Sequence, residues 1–349
     1  LSVLQKEAPP VPFDKMRRKL RRQVPDFDAV FESVDPEAFA AASIGQVHRG
    51  VLRDGRDVAI KIQYPNVDRM VRADLSNMKA LLGSLMALFT DIDFEPIWGE
   101  VKDRLVEELD YEHEADNIRR MGAMQADHPE IVVPVVVPEA SSKGVLTMEF
   151  VEGIPPAEAI SDRYPQELKD QWGRTLFEFT IRGLFEHRFL HADPNFANFA
   201  FREDGKVAVY DYGCMKEIPE DIAVGYAGLM DAVIHRRKTA IPELLRDMGV
   251  YKEDGELVSR EMTDPHVDVL QDIVKASPPY TFGEDSSIYD TLYELGMASW
   301  QEATDMRFPQ DVVFINRTLV GLFGNLGKLR ATGPWRKLLQ QYTSGGRSR

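Results

Sequence analysis

The sequence predicts an α+β protein in two lobes: a small β-sheet lobe carrying extra helices over residues 1–150, and a mainly helical lobe over residues 151–349. Two observations predict it. Strand-length runs rich in Val and Ile crowd the first part, where they fit a sheet backed by helices. Beyond Gly153-Ile154-Pro155-Pro156 the periodicity turns helical. With 349 residues, 44% hydrophobic and 28% charged, the chain can bury a substantial core and suits one large two-lobed domain or two domains.

In chain order, helices are expected over Phe13 to Gln23 and Asp26 to Phe31, and strands around Gln46 to Leu52 and Asp57 to Gln63. Two long helices follow, about Asn66 to Phe89 and a carboxylate-rich one ending at Met124, then apolar strand-like runs at Ile131 to Val137 and Val145 to Val151. In the second part, Pro165 to His187 reads as a long helix. Phe199 to Phe201 and Lys206 to Tyr210, joined by a turn at Glu203-Asp204-Gly205, read as a short hairpin. Helices are expected again over Pro219 to His235, Ala240 to Met248, Ser259 to Ala276 and Pro309 to Leu329, with a flexible tail from Thr343.

Three short motifs carry chemistry. His191 to Asn198 has the form H-x-D-x-x-x-x-N, and Asp211-Tyr212-Gly213 has the form D-[FY]-G. In phosphoryl transfer this pair places one carboxylate by the attacking group, and an Asn with a second Asp on a Mg2+ that bridges nucleotide phosphates. Asp193 is therefore the candidate catalytic carboxylate. Asn198 and Asp211 are candidate metal ligands through hard oxygen atoms, and His191 reads as a brace for the loop. The hairpin between Asn198 and Asp211 would bring the two ligands together. Upstream, Val58-Ala59-Ile60-Lys61 ends a β-like run, where an ammonium must meet a carboxylate or a phosphate if buried. Taken alone, that lysine fits an exposed edge strand equally well. Taken in order, the three motifs give a bilobal protein-kinase-like fold in which Lys61, Asn198 and Asp211 gather around one Mg2+ and the phosphates of ATP or ADP.

The run Phe39 to His48, the V-A-I-K lysine, Glu108-Leu109-Asp110-Tyr111 with Glu114-Ala115, the His191 to Asn198 loop and Asp211-Tyr212-Gly213 together resemble the UbiB/AarF atypical kinase-like family. The resemblance spans Leu1 to about Leu339. It implies that Lys61 pairs with Glu114 and that Glu108 and Asp110 form an E-x-D motif. It further implies that an alanine-rich loop with Ala41, Ala42, Ser43, Gly45 and Val47 lies at the nucleotide in place of a glycine-rich one. Each Cβ in such a loop obstructs the approach of backbone N–H groups to phosphate, leaving Gly45 as the permissive position. Val145 to Gly153 resembles a kinase hinge, with Glu149 and Val151 offering backbone groups to an adenine edge. A K-x-G-Q motif of the family, expected to meet the E-x-D, precedes the segment that opens here as Leu1-Ser2-Val3. Leu1 is therefore expected to be a truncation or the edge of the ordered part, with the E-x-D surface bare.

The net charge of −15, from 42 basic and 57 acidic residues, argues against general nucleic-acid binding. The single cysteine, Cys214, excludes an intrachain disulfide and fits a reducing, cytoplasmic setting. No apolar run reaches 18 residues, so no transmembrane segment is expected. Lys15 to Arg22 concentrates basic residues on one short helix, which is either a solvated face or a surface for anionic lipid headgroups. The resemblance favours a peripheral membrane surface and quinone-type lipids as partners. Three functions follow: an ATP-dependent kinase or ATPase supporting quinone-lipid biosynthesis, a non-catalytic nucleotide-sensing scaffold of a membrane-associated complex, and, least favoured, a protein kinase. The last lacks an A-P-E-like segment after Asp211-Tyr212-Gly213.

Overall fold

A computed structural model describes residues 11–42, 44–71, 73, 75, 79, 109–275, 277, 279–283, 288, 291–292, 294–295 and 306–343. The chain forms two compact units, one of Leu1–Ala126, Val133–Val151 and Asp211–Gly213, the other of Asp127–Val132, Glu152–Tyr210 and Cys214–Arg349.

The first unit opens with α1 (Phe13–Gln23) and α2 (Phe27–Val30). Its antiparallel sheet runs in the order β1 (Phe31–Ala42), β2 (Gly45–Leu52), β3 (Asp57–Gln63) and β4 (Val145–Glu149), with α3 (Tyr111–Met124) in the same unit. Period-2 alternation on β3 decides which side chain faces which layer. Val58, Ile60 and Ile62 are fully buried in one apolar cluster with Met16 and Leu20 of α1. Lys61 lies on the other face, opposite Val47 of β2 and Leu146 of β4. Met16 and Leu20, one turn apart, anchor α1, each contributing about 1.5–3 kcal/mol by burial. The basic residues occupy its remaining circumference. Lys15, Arg17, Arg18, Arg21 and Arg22 are exposed, whereas Lys19 is half-buried and donates to Tyr64 O at 3.1 Å.

The alanine-rich stretch corrects an expectation. Ala40, Ala41 and Ala42 are not a loop but the paired end of β1, opposite Val47, Gln46 and Gly45. Gly45 is glycine for packing: an added Cβ would lie 2.3 Å from Ile62 O across the sheet, and its φ is not positive. β1 is an edge strand, and its register shifts between Val34 and Ala38, around Pro36, where an edge tolerates the missing N–H.

In the second unit, β5 (Phe189–His191) pairs antiparallel with β8 (Met215–Glu217), and β6 (Phe199–Phe201) with β7 (Val207–Val209) in the hairpin the sequence predicts. Gly205 takes its turn at φ +83°. Of the run Ile131 to Val137, only Ile131–Val132 forms a strand, parallel to β7, because Pro134 interrupts it. Helices α4 (Gln166–Phe185), α5 (Glu220–Ile234), α6 (Ile241–Asp247), α7 (Arg260–Ile273) and α8 (Gln310–Leu329) match the periodic segments of the sequence. Sequence reading missed α9 (Trp335–Thr343), whose Trp335 packs against Phe177 and Phe282 with ring centroids at 5.0 and 5.3 Å. Among the described residues, no helix is long and apolar enough to cross a membrane.

A buried polar pair fastens the start of the first unit. Gln46 Oε1 accepts from Val11 N at 3.0 Å, and its amide nitrogen lies 2.8 Å from His48 Nε2. His48 Nδ1 is 2.8 Å from Asp35 O, which can only accept, so Nδ1 carries the proton and Nε2 accepts from Gln46. Burial lowers the His48 pKa against a smaller raising effect of Asp35. Below the ordinary histidine range the unfolded chain takes up a proton that the folded protein refuses, so this contribution to stability is present at neutral pH and is lost as pH falls through the depressed folded value. Denaturant unfolding of the wild type should weaken between pH 7 and pH 5 relative to His48→Gln. Equal pH slopes for the two proteins would refute the assignment.

Candidate functional site

In the first unit the site is built on Lys61. Its ammonium lies 2.9 Å from both carboxylate oxygens of Glu114 and 3.0 Å from Asp211 Oδ2. Glu114 arrives there because Asp110 is the N-cap of α3, its carboxylate accepting from Glu112 N and His113 N at 3.1 and 3.4 Å. That starting point turns Glu114, Asn117, Ile118 and Met121 inward on one helix face. It also corrects the expectation of a helix running through Asp110: the backbone there is extended, and Asp110 additionally pairs with Lys143 at 3.4 Å. Glu108 and Ser43 lie outside the described residues.

The segment Asp211-Tyr212-Gly213 is stitched to α3 by main-chain bonds. Tyr212 N donates to Glu114 Oε1 at 3.4 Å, and Asn117 Nδ2 donates to Tyr212 O at 3.0 Å. Gly213 N closes an Asx turn on Asp211 Oδ1 at 2.9 Å. One ammonium thus faces two carboxylates. Desolvation alone would lower the Lys61 pKa, but Asp211 and Glu114 push it well above its ordinary value, so it stays charged. Burial raises that of Glu114, with Lys61 opposing. Lys61 and Glu114 are 7% and 4% exposed, whereas the Asp211 side chain is 40% exposed. Of the three, Asp211 is thus the accessible member.

In the second unit, β5 delivers His191, buried between the rings of Phe179 and Phe199 at 5.9 and 5.8 Å. Asp193 Oδ2 accepts from Asn198 Nδ2 at 2.8 Å, and its Oδ1 accepts from Asn195 N at 3.2 Å. Asn198 O accepts from Tyr210 N at 2.9 Å, so the hairpin closes on this loop, and Asp211 is the next residue along the chain. With its amide nitrogen committed to Asp193, Asn198 keeps Oδ1 for a hard cation.

Residues 3–245 match the model of the ABC1 atypical kinase-like domain. The chain belongs to the ABC1 atypical kinase-like family. Its fold is protein-kinase-like, with a β-sheet N-terminal part and a mainly helical C-terminal part. It is similar to the mitochondrial atypical kinase COQ8B of Rattus norvegicus, 32% identical over 262 residues covering 74% of this chain and 49% of that protein. The mitochondrial atypical kinase coq-8 of Caenorhabditis elegans is 28% identical over 333 residues, covering 92% and 43%. The ABC1-family chain spans about half the length of the curated relatives it matches. A solved structure of Rv3197 with erythromycin from Mycobacterium tuberculosis superposes with TM-score 0.79 at 28% identity, covering 98% of this chain and 85% of the other.

Within this ABC1-family fold the remaining sequence-predicted positions fall as follows. Ala41 and Ala42 end β1, Gly45 and Val47 lie on β2, and Glu149 ends β4. The hinge expectation needs adjustment: Glu149 N donates to Val135 O and Phe150 N to Asp57 O, so neither N–H is open to a base edge. Val151 follows the strand. Sequence reasoning missed the residues that hold the catalytic-type loop. Arg317 Nη2 donates to Ala192 O at 2.7 Å and Asn325 Nδ2 to Pro194 O at 2.8 Å, both from α8. That these polar residues of α8 reach the loop shows only in the structure. Asn117, one turn from Glu114, was likewise missed.

Replacing Lys61 by Met leaves Glu114 buried beside Asp211 with no cation. Such removal of one partner is expected to cost about 3–5 kcal/mol at neutral pH. Because the folded Glu114 pKa then lies above its unfolded value, the loss should be smallest in acid and grow as pH rises through that folded value. Denaturant unfolding of Lys61→Met against wild type at pH 5 and pH 8 checks it, and a pH-independent difference would count against the buried triad.

Proposed function

We propose that this chain is a Mg-ATP-binding atypical kinase or ATPase. The observation that carries the reading is the buried Lys61–Glu114 pair with its third member, Asp211, left accessible. The donor set suits the group: Asp211 and Asn198 offer hard oxygen atoms, as Mg2+ prefers, and Lys61 offers a fixed ammonium to phosphate oxygens. When bound, the metal would neutralise charge on the phosphates. The protein's own side chains do the rest. Glu114 holds the Lys61 ammonium in place, Asn198 orients Asp193, and Asp193 accepts the proton of the attacking hydroxyl or water.

The acceptor is water or a small molecule rather than a protein hydroxyl. Support comes from Ala40, Ala41 and Ala42, which are strand-paired and carry side chains where a protein kinase has a glycine-rich loop. The chain's setting is proposed to be quinone-lipid biosynthesis, on the strength of the family resemblance. The exposed face of α1, with Lys15, Arg17, Arg18 and Arg22, is proposed to rest on anionic headgroups at roughly 1 kcal/mol per basic residue.

Two measurements test the reading. Millimolar Mg-ATP should raise the melting temperature by several degrees, and ATP with chelator should not. An unchanged melting temperature would remove nucleotide binding altogether. Asp193→Asn, which keeps the shape and loses the base, should lower ATP turnover by about 10²–10⁴-fold with nucleotide binding intact. Turnover absent from both proteins, with binding retained, would turn the reading to a nucleotide-sensing scaffold.

A further inference from the structure

Arg317, Gly321 and Asn325 follow one another at intervals of four residues along α8, so they line up on one face of that helix. Each meets the main chain or ring of a residue next to Asp193. Arg317 Nη2 donates to Ala192 O at 2.7 Å and Asn325 Nδ2 to Pro194 O at 2.8 Å, the carbonyls on either side of Asp193. Between these two bonds the Pro194 ring sits against Gly321, where an added Cβ would lie 2.3 Å from both its Cβ and its Cγ. The loop docks on α8 at three points, one turn apart.

These contacts bear on where the Asp193 carboxylate points. A peptide group is planar, so fixing Ala192 O fixes the plane that enters Asp193, and fixing Pro194 O fixes the plane that leaves Pro194, whose ring already restricts φ. Bonds inside the loop do a different job. Asp193 Oδ1 accepts from Asn195 N and Oδ2 from Asn198 Nδ2, which sets the carboxylate relative to the loop. The loop itself is set relative to the rest of the unit by α8 on one side and by Ala192 N donating to Cys214 O at 2.8 Å on the other. Both donors on α8 are themselves steadied. Asn325 is 4% exposed, and the guanidinium carbon of the exposed Arg317 lies 5.7 Å from the ring centre of the buried Phe314.

We propose that Arg317, Gly321 and Asn325 are positioning residues for Asp193, so that the catalytic-type loop depends on a helix lying beyond residues 3–245, the stretch that matches the family model. A carboxylate displaced by a fraction of an ångström to 1 Å loses much of its effect on a reacting group, and a three-point dock prevents that displacement. The expected effect on turnover rests on the role proposed for Asp193, whereas the hold on the loop does not.

The test combines steady-state ATP turnover with amide hydrogen exchange on the full chain. Arg317→Met and Asn325→Leu, which keep the bulk and lose the donor, should each lower kcat about 10–100-fold with the KM for Mg-ATP unchanged. Arg317→Lys, which restores a donor, should recover most of the loss. In an Asp193→Asn background, Arg317→Met should cost nothing further, because it acts through the same carboxylate, whereas a general structural lesion would multiply with it. Exchange should quicken at residues 192–198 in both variants and stay at the wild-type rate in the hairpin of β6 and β7. Unchanged exchange in the loop, turnover intact in Arg317→Met, or a loss that multiplies in the Asp193→Asn background would each overturn the proposal. Should Asn325→Leu fail to fold, Arg317→Met, on an exposed side chain, still decides. A wild type without ATP turnover would remove the role of Asp193, and exchange then decides by itself whether α8 holds the loop.

Discussion

A buried ammonium is the constraint on which the first unit depends. Lys61 is carried inward by the same strand alternation that sends Val58, Ile60 and Ile62 into the apolar cluster. Once there, it is tolerable only with anions in contact, because an unpaired interior charge costs several kcal/mol. The rest of the local architecture serves that requirement. Asp110 sets where α3 begins, the start of α3 sets where Glu114 points, and Glu114 with Asn117 grips the main chain of Tyr212 from both sides. Asp211 is thereby held to the ammonium by structure and not by its own charge alone. Of the two carboxylates on one cation, the fold buries Glu114 and leaves Asp211 the more exposed.

The second unit solves a different problem. A loop such as Ala192 to Asn198 has main-chain carbonyls that no ladder satisfies, and buried carbonyls need donors. Arg317 and Asn325 supply them from a 20-residue helix, and Gly321 lets that helix come close enough for Pro194 to fit. Inside the loop, Asn195 and Asp193 accept main-chain N–H groups two residues on. The loop is thus braced from outside by side chains and from inside by Asx turns, which is how an irregular segment holds a carboxylate and an amide in fixed relation.

Much of this was legible in the sequence, and the parts that were not share a cause. Strand β3, helix α1 and the β6–β7 hairpin have bounds close to those read from pattern, because each is a short local problem: alternation, a one-sided apolar stripe, a Gly turn at φ > 0. The pairing partner of Lys61 came through family resemblance and not from spacing, since 53 residues separate it from Glu114 and nothing local marks the contact. The alanine run misled for a physical reason. Alanine is permissive in strand, helix and loop, so its composition does not specify which; the register with β2 does. The start of α3 was misplaced because a capping Asp and a helix-face Asp look alike until the backbone is seen to be extended. Arg317 and Asn325 act through contacts more than 100 residues away, and the helix at Trp335 packs on rings far from it in the sequence, so nothing local marks either.

The position of Gly45 bears on how phosphates would be handled. In a glycine-rich loop, backbone N–H groups do much of the work of cradling phosphate. Here the alanines leading into the turn are held in a ladder, with Ala41 and Ala42 opposite Gln46 and Gly45, and Gly45 is taken up by the close approach of β2 to β3. The stretch therefore trades loop freedom for sheet. Under the proposed reading, fewer main-chain donors would be left for the phosphates, and more of the charge compensation would fall on Lys61 and on a divalent cation. A site weighted toward fixed charges would, under that reading, hold the metal–nucleotide complex in preference to the free nucleotide, because without the metal the carboxylate of Asp211 would repel the phosphates.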